Sequence, residues 1–301
     1  MQLLVHGGAG TEPDEPEPRR EVLDEAAAAG ARERSVVDAV ERAVRVLEDS
    51  PRFNAGVGSA VQSDGAIRTD AGIMTHRRDV GAVCSVPGVA HAVSAARVVM
   101  EETPHVLLSG ERAAELAGAY GVETGVDCWS ERTRKRWDDL EAPEGGPREQ
   151  LAWLEERFGE SDPGGRDREG ESTDDGTDHD TVGAVARAGD RLAAATSTGG
   201  RWLALAGRVG DVPQVGSGYY CCPEAAVSAT GAGEDIARTT LSRRAADHIG
   251  DGRNARKACE AAIEEFEELT GSTAGVIAAD GDGGLGSAFN SSAMQTARAE
   301  R

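Results

Sequence analysis

Lysine is almost missing from this 301-residue chain: of 32 basic residues only Lys135 and Lys257 are lysines, and the other 30 are arginines. Acids outnumber bases at 53, which gives a formal net charge of −21 and a pI near 4.7. A surface this negative repels phosphate and argues against nucleic acid or an anionic membrane as partner. Aromatics are also scarce, at 4% of residues, while glycine and alanine abound. High acid, little lysine and few bulky apolar residues together predict a halophilic protein. In concentrated salt carboxylates hold water and their mutual repulsion is screened. Drift in a GC-rich genome also favours Arg, Ala, Gly and Asp, but it does not by itself explain the net charge.

Other absences narrow the chemistry. No apolar run reaches the 18 or more residues of a membrane span. The opening residues, 1–6, carry no basic segment and read straight into a strand, so no signal peptide is expected. Five cysteines, two of them adjacent at Cys221 and Cys222, show neither disulfide nor metal spacing, and a reducing cytoplasm is the expected compartment. The six histidines fall at no ligand spacing. Gly-x-Ser-x-Gly is absent, and His6-Gly7-Gly8-Ala9-Gly10 lacks the remainder of a phosphate-binding loop.

What is present reads as mixed α and β in two parts. The first, from residue 2 to about 140, opens with a strand at 2–6, its glycine turn and a Pro- and Glu-rich turn through Pro18. Ser35 is an N-cap with Asp38 three residues on, and Val37, Val40, Val44 and Leu47 mark one helical face. Strands and turns are predicted over 54–74, a strand over 81–86, and helices over 93–101 and 111–118. Residues 141–180 then carry 14 acids and four arginines, a net −10. From 160 onward this segment is Gly, Ser, Asp and Glu with almost nothing apolar, and a disordered acidic linker over about 159–180 is predicted.

At Thr181 the composition changes abruptly. Two small-residue apolar runs, 181–188 and 192–197, flank Gly189-Asp190, a hairpin signal. Further strands are predicted over 225–230, 274–279 and 284–289, with helices over 235–248 and 256–269. Strand-rich segments flanked by helices, with tight hairpins, suggest helices layered on antiparallel sheets. The junction itself carries chemistry. A threonine hydroxyl is a weak nucleophile that needs a base, and a threonine made N-terminal supplies one from its own α-amine, of pKa about 7.7–8.0. Cutting an unstructured tail between Asp180 and Thr181 would create it. On spacing alone, Thr181 could equally be a threonine that merely opens a strand.

Four ordered stretches decide between these readings. They are Thr181-Val182-Gly183-Ala184-Val185-Ala186, Ala195-Thr196-Ser197-Thr198-Gly199-Gly200, Gly207-Arg208-Val209-Gly210-Asp211 and Ala229-Thr230-Gly231-Ala232-Gly233-Glu234. Together with His6-Gly7-Gly8-Ala9-Gly10 and the run from Leu47 to Gly58, they closely resemble the plant-type L-asparaginase and isoaspartyl peptidase family of N-terminal nucleophile hydrolases. The resemblance covers nearly the whole chain except the acidic insert. It implies an α+β fold, a four-layer αββα sandwich, whose 1–180 part becomes the α subunit and whose 181–301 part becomes the β subunit of one domain. Two such units pair as an (αβ)2 homodimer. It also implies an autoprocessing amidohydrolase that cleaves the side-chain amide of L-asparagine or a β-aspartyl peptide through a threonyl acyl-enzyme, with no cofactor required.

By the same resemblance Thr181 is the nucleophile and Thr198 the threonine beside it. Arg208 clamps the substrate carboxylate, and Asp211 takes its α-ammonium. Thr230 and Gly231 donate to the oxyanion, and Gly233 lets the backbone approach substrate. Asn54 orders the site. Backbone carbonyls of Leu47, Glu48, Ser50, Phe53, Ala55 and Val57 would wrap a structural sodium ion, a role that leaves no side-chain signature. Arg208 and Asp211, three residues apart, could without the resemblance be an ion pair in a turn. His179-Asp180-Thr181 and His105 look instead like glycosylasparaginases, which cleave sugar-linked asparagine, while Gly231-Ala232-Gly233-Glu234 is closer to the asparaginases. An unprocessed, non-catalytic relative that binds a small ligand is the alternative of a different class.

Overall fold

The computed structural model describes residues 1–142, 145–158 and 181–301. The linker predicted over 159–180, with His179 and Asp180, lies outside the described residues. In chain order the strands are β1 (Gln2–Gly10), β2 (Arg68–Thr75), β3 (Val80–Pro87), β4 (Leu107–Ser109), β5 (Val182–Ala188), β6 (Arg191–Thr198), β7 (Tyr219–Cys221), β8 (Ala225–Gly231), β9 (Ala274–Asp280), β10 (Leu285–Phe289) and β11 (Ala293–Glu300). The helices are α1 (Pro16–Ala31), α2 (Val36–Glu48), α3 (Ala92–Glu102), α4 (Gly110–Ala119), α5 (Glu131–Asp138), α6 (Pro147–Phe158), α7 (Gly233–Thr239), α8 (Leu241–Gly250) and α9 (Ala255–Thr270).

Seven strands form one sheet in the order β11-β1-β5-β6-β2-β3-β4, and four form a second in the order β10-β9-β8-β7. Every paired strand is antiparallel to its neighbour except β4, which runs parallel to β3. The strand period of two explains the layering. Leu3 and Val5 of β1 point to one face and join Leu23, Val40, Val44 and Leu47 of α1 and α2 in one core. Leu4 points the other way, with Val185 and Ala194, into a second core shared with Val227 and Ile277 of the smaller sheet and Phe266 of α9. Helices, sheet, sheet and helices thus stack in four layers, the αββα sandwich. With so few aromatics the layers close on alanines, as at Ala193, Ala194 and Ala195 of β6, all fully buried. Among the described residues no helix is long and apolar enough to cross a membrane.

Local signals explain much of this. Ser35 caps α2 by accepting from the Asp38 N–H at 3.1 Å, although Val36 rather than Val37 heads its buried face. Elsewhere the structure corrects the expectation. The Pro- and Glu-rich stretch is no turn through Pro18: Pro16 stands at the start of α1, where its missing N–H costs nothing. His6–Gly10 is no free turn either, because β1 continues through a bulge between His6 and Ala9 to pair with β11. The helix predicted over 235–248 is two, α7 and α8, broken where Thr240 adopts a left-handed φ of 53°. The strand predicted over 284–289 is not the last, since β11 follows and crosses to the other sheet.

Candidate active site

Thr181 is buried immediately before β5, and Thr198 is the last residue of the adjoining β6. The β5–β6 hairpin ladder places Val182 opposite Ser197, which brings the two threonines together at the strand ends. The Thr181 hydroxyl donates to Thr198 Oγ1 at 3.2 Å. Thr198 is held in turn by the Gly200 N–H at 3.1 Å, and its hydroxyl faces the Asn54 carbonyl. Asn54 closes this corner: its Nδ2 donates to Gly200 O at 2.6 Å and its Oδ1 accepts from the Ala60 N–H at 2.8 Å.

Below this couple lies a neutral network that sequence reasoning missed. Ser228 of β8 joins His6 Nε2 at 2.8 Å and Thr196 Oγ1 at 2.7 Å, and Thr196 donates on to Gly218 O. It ties β1 and β6 of one sheet to β8 of the other. Burial pushes the His6 pKa down to about 3, and a nearby backbone group of Thr181 offsets this only in part, so His6 is neutral. Its signal in the sequence was a histidine inside an apolar strand.

The second half of the site is charged. Arg208 lies in the loop after β6, and its Nε and Nη2 grip the two oxygens of Glu234 at 2.7 and 2.8 Å. Burial raises the Glu234 carboxyl, but the Arg208 bonds and charge outweigh it and bring the pKa to about 2. Asp211 is buried beside them, and its Oδ2 has no hydrogen-bond partner. Burial pushes its pKa up to about 7, against the pull of Arg208. Arg208 therefore pairs with Glu234, at the start of α7, and not in a turn with Asp211. Gly233 lies between them: a Cβ there would sit 2.7 Å from Asp211 Oδ1 and 2.8 Å from Arg208 Nη2. Only a residue without a side chain lets these groups converge.

The two halves meet. Asp70 of β2 is the cross-strand partner of Thr198, and its buried carboxyl, raised to about 7, feels the charge of Arg208. Thr230 and Gly231 end β8, between Ser228, which touches Thr196, and Gly233, which touches Asp211 and Arg208. Thr230 is fully buried, and Gly231 has a φ of 134° with the Thr273 carbonyl 2.5 Å from where a Cβ would lie. Thr181, Thr198, Asn54, Thr230, Gly231, Arg208, Asp211 and Gly233 thus gather at one end of the facing strands. Glu234 and Asp70 complete the set. Glu234 closed the fourth motif but had no assigned partner, and Asp70 showed only as an acid inside an apolar strand. His105 is exposed just before β4 and takes no part.

No group of three or more His, Cys, Asp or Glu suited to a metal ion exists among the described residues. The 47–57 loop presents backbone oxygens instead. At Gly56, with a φ of 55°, a Cβ would run into the Glu48 carbonyl and lie 2.7 Å from that of Ala90. At Gly58 it would lie 2.9 Å from the Phe53 carbonyl. The Leu47, Glu48 and Ser50 carbonyls each accept a backbone N–H and keep a second lone pair. Of the six expected carbonyls, those of Glu48 and Phe53 border these glycine cradles, and carbonyl oxygens are among the ligands a hard cation takes.

Comparison with known proteins agrees with the geometry. A family model described as asparaginase matches residues 1–301. The chain is 40% identical over 306 residues to a plant-type L-asparaginase of Pyrococcus furiosus, covering 99% of this chain and 95% of that one. It is 41% identical over 304 residues to a plant-type L-asparaginase of Thermococcus kodakarensis, with 98% and 95% covered. An isoaspartyl peptidase/L-asparaginase of Bos taurus is 35% identical over 309 residues, with 99% and 92% covered.

Proposed function

This chain belongs to the asparaginase family, with its N-terminal nucleophile hydrolase fold, and from that premise we propose that it hydrolyses the side-chain amide of L-asparagine and of β-aspartyl peptides. The observation that carries the substrate class is the buried, unpartnered Asp211 Oδ2 next to the Arg208 guanidinium. One buried carboxylate and one partly buried guanidinium around Gly233 match the ammonium and carboxylate of an α-amino acid, and the threonine couple lies toward its side chain.

In this reading the bond before Thr181 is cut first, which divides the domain into parts 1–180 and 181–301 and frees the Thr181 α-amine. The amine takes the hydroxyl proton as Thr181 Oγ1 attacks the side-chain carbonyl carbon. The Thr230 hydroxyl and the Gly231 N–H stabilise the oxyanion, and the Thr198 hydroxyl holds the nucleophile. The proton passes to the leaving ammonia or amine, and an aspartyl ester remains on Thr181. Water, deprotonated by the same amine, attacks the ester; L-aspartate leaves and Thr181 Oγ1 regains its proton. Arg208 binds the α-carboxylate and Asp211 the α-ammonium throughout. No organic cofactor takes part. Carbonyls of Leu47, Glu48, Ser50, Phe53, Ala55 and Val57 would hold a sodium ion that stiffens the loop bearing Asn54.

Five buried free thiols suit a reducing cytoplasm, and the charge of −21 suits concentrated salt. Pairing as an (αβ)2 homodimer is testable by light scattering of the cut protein. The deciding assay offers asparagine, β-Asp-Leu and a glycosyl-asparagine side by side in molar salt. Ammonia from the first and leucine from the second are expected. Turnover of glycosyl-asparagine alone would overturn the substrate assignment.

A further inference from the structure

All four tryptophans of the chain, Trp129, Trp137, Trp153 and Trp202, lie in one small cluster apart from the two main cores. Around Leu154 of α6 and Val61 they enclose Leu203, which is fully buried with a left-handed φ of 56°. That conformation is costly for a leucine and persists only where surroundings enforce it. Leu203 sits midway along the loop that runs from Thr198 to Arg208, so the strained residue lies on the link between the threonine that holds the nucleophile and the carboxylate clamp.

Two side chains hold the far end of this loop. Gln62 Oε1 accepts from the Gly207 N–H at 2.9 Å, and its Nε2 donates to the Arg208 carbonyl at 3.2 Å. Ser63 Oγ accepts from the Ala206 N–H at 2.9 Å and donates to Gln150 Oε1 at 2.8 Å. Gln150 is a buried residue of α6, and its Nε2 returns to the Gly145 carbonyl at 3.2 Å. A chain of bonds therefore runs from α6 through Ser63 to the backbone two residues before the Arg208 side chain.

We propose that Gln150 is a positioning residue for substrate binding, acting through Ser63 on the 199–208 loop to fix where the Arg208 guanidinium stands. The reason for a buried glutamine on α6 is then its acceptor oxygen, which orients the Ser63 hydroxyl so that its lone pair meets the Ala206 N–H. Loss of that oxygen frees the loop to relax the strain at Leu203 and carries Arg208 off station, while Thr181 and Thr198, held by the β5–β6 ladder, stay in place.

The inference rests on the asparaginase reading, and one experiment separates the two. Wild type, Gln150→Ala, Gln150→Glu and Ser63→Ala are cut to completion and assayed with asparagine in parallel. The KM of Gln150→Ala should rise about tenfold, the weight of one lost buried hydrogen bond, with kcat within about twofold. Gln150→Glu, which keeps an acceptor oxygen, should restore KM. Ser63→Ala should raise KM likewise while tryptophan emission, which reports on the cluster, stays as in wild type. A merely structural role would lower kcat and the yield of cut protein together, and Gln150→Glu would not rescue it. Unchanged KM in both Gln150→Ala and Ser63→Ala overturns the inference with the asparaginase reading intact; a wild type inert toward asparagine overturns that reading instead.

Discussion

The two ends of the candidate site are built on opposite principles. Thr181, Thr198, Thr196, Ser228 and His6 are neutral, stand on or next to β-strands, and their hydroxyls are hydrogen-bonded. Asp211 and Asp70 are buried and Arg208 and Glu234 partly buried, most of these charged groups stand on loops or a helix start, and one carboxylate oxygen is left over. The hydroxyls of the first end are hydrogen-bonded without a ligand, because ladder hydrogen bonds and facing sheets fix its parts. The charged end is electrostatically unfinished until an ammonium arrives. Changes at the first should therefore act on the chemical step or on stability, and changes at the second on binding.

The largest effect tests whether the hydroxyl end holds the nucleophile at all. Thr181→Ala should lower turnover of asparagine by at least about 10⁴-fold, as loss of a nucleophile does elsewhere. Intact mass should then show one species near 31.3 kDa, where wild type gives two fragments divided before Thr181. Fragments divided there in the variant would show that its own hydroxyl does not cut the chain, and an uncut wild type would favour a non-catalytic relative.

Arg208→Gln addresses the charged end. Removal of the guanidinium from this part-buried charged pair should raise KM about 10²-fold, with a smaller change in kcat. A pH profile sharpens the contrast. Burial raises Asp211 to about 7, so below that pH it is protonated and cannot take an ammonium, and the fall of kcat/KM set by the Thr181 amine at about 7.7–8.0 should steepen as pH drops through 7. Arg208 pulls this pKa down, so its loss should move the acid limb to higher pH. A limb that stays in place would free Asp211 from its assigned role.

Distance along the chain governs what a single sequence reveals. The Thr181–Thr198 couple came from motif wording, and the hairpin signal at Gly189-Asp190 agrees with it because a hairpin brings its outer ends together, whereas the His6–Ser228 bond spans 222 residues and went unread. Motif wording supplied Arg208 and Asp211 but not the Glu234 bond, which spans 26 residues and depends on how a loop meets a helix start. β11 was missed for the same reason: its partner β1 lies almost a full chain length away, and its half-buried alternation is faint. The break at Thr240 has no glycine or proline to announce it. The Leu203 strain belongs to a tertiary cluster, and no local propensity encodes that.

The smallest expected effect falls where the hydroxyl network is farthest from the chemistry. Ser228→Ala strands His6 Nε2 between the sheets, while Thr196 keeps its bond to Gly218 O. The cost should be about 1–3 kcal/mol of stability, read from urea denaturation, with kcat and KM within about twofold. The sign of the pH dependence separates the two ends once more. His6 has a folded pKa of about 3 against 6.5 unfolded, so its contribution is whole above 6.5 and is lost as pH falls toward 3. Asp70 and Asp211 are raised by burial to about 7, so theirs is whole below about 4 and is lost as pH climbs from there through 7. His6→Gln should therefore remove the rise in stability between pH 3 and 6.5 and leave the opposing fall set by the two carboxyls unchanged. If the acid side keeps its slope in that variant, the neutral network is not what acid attacks, and the division of the site into two independent ends fails.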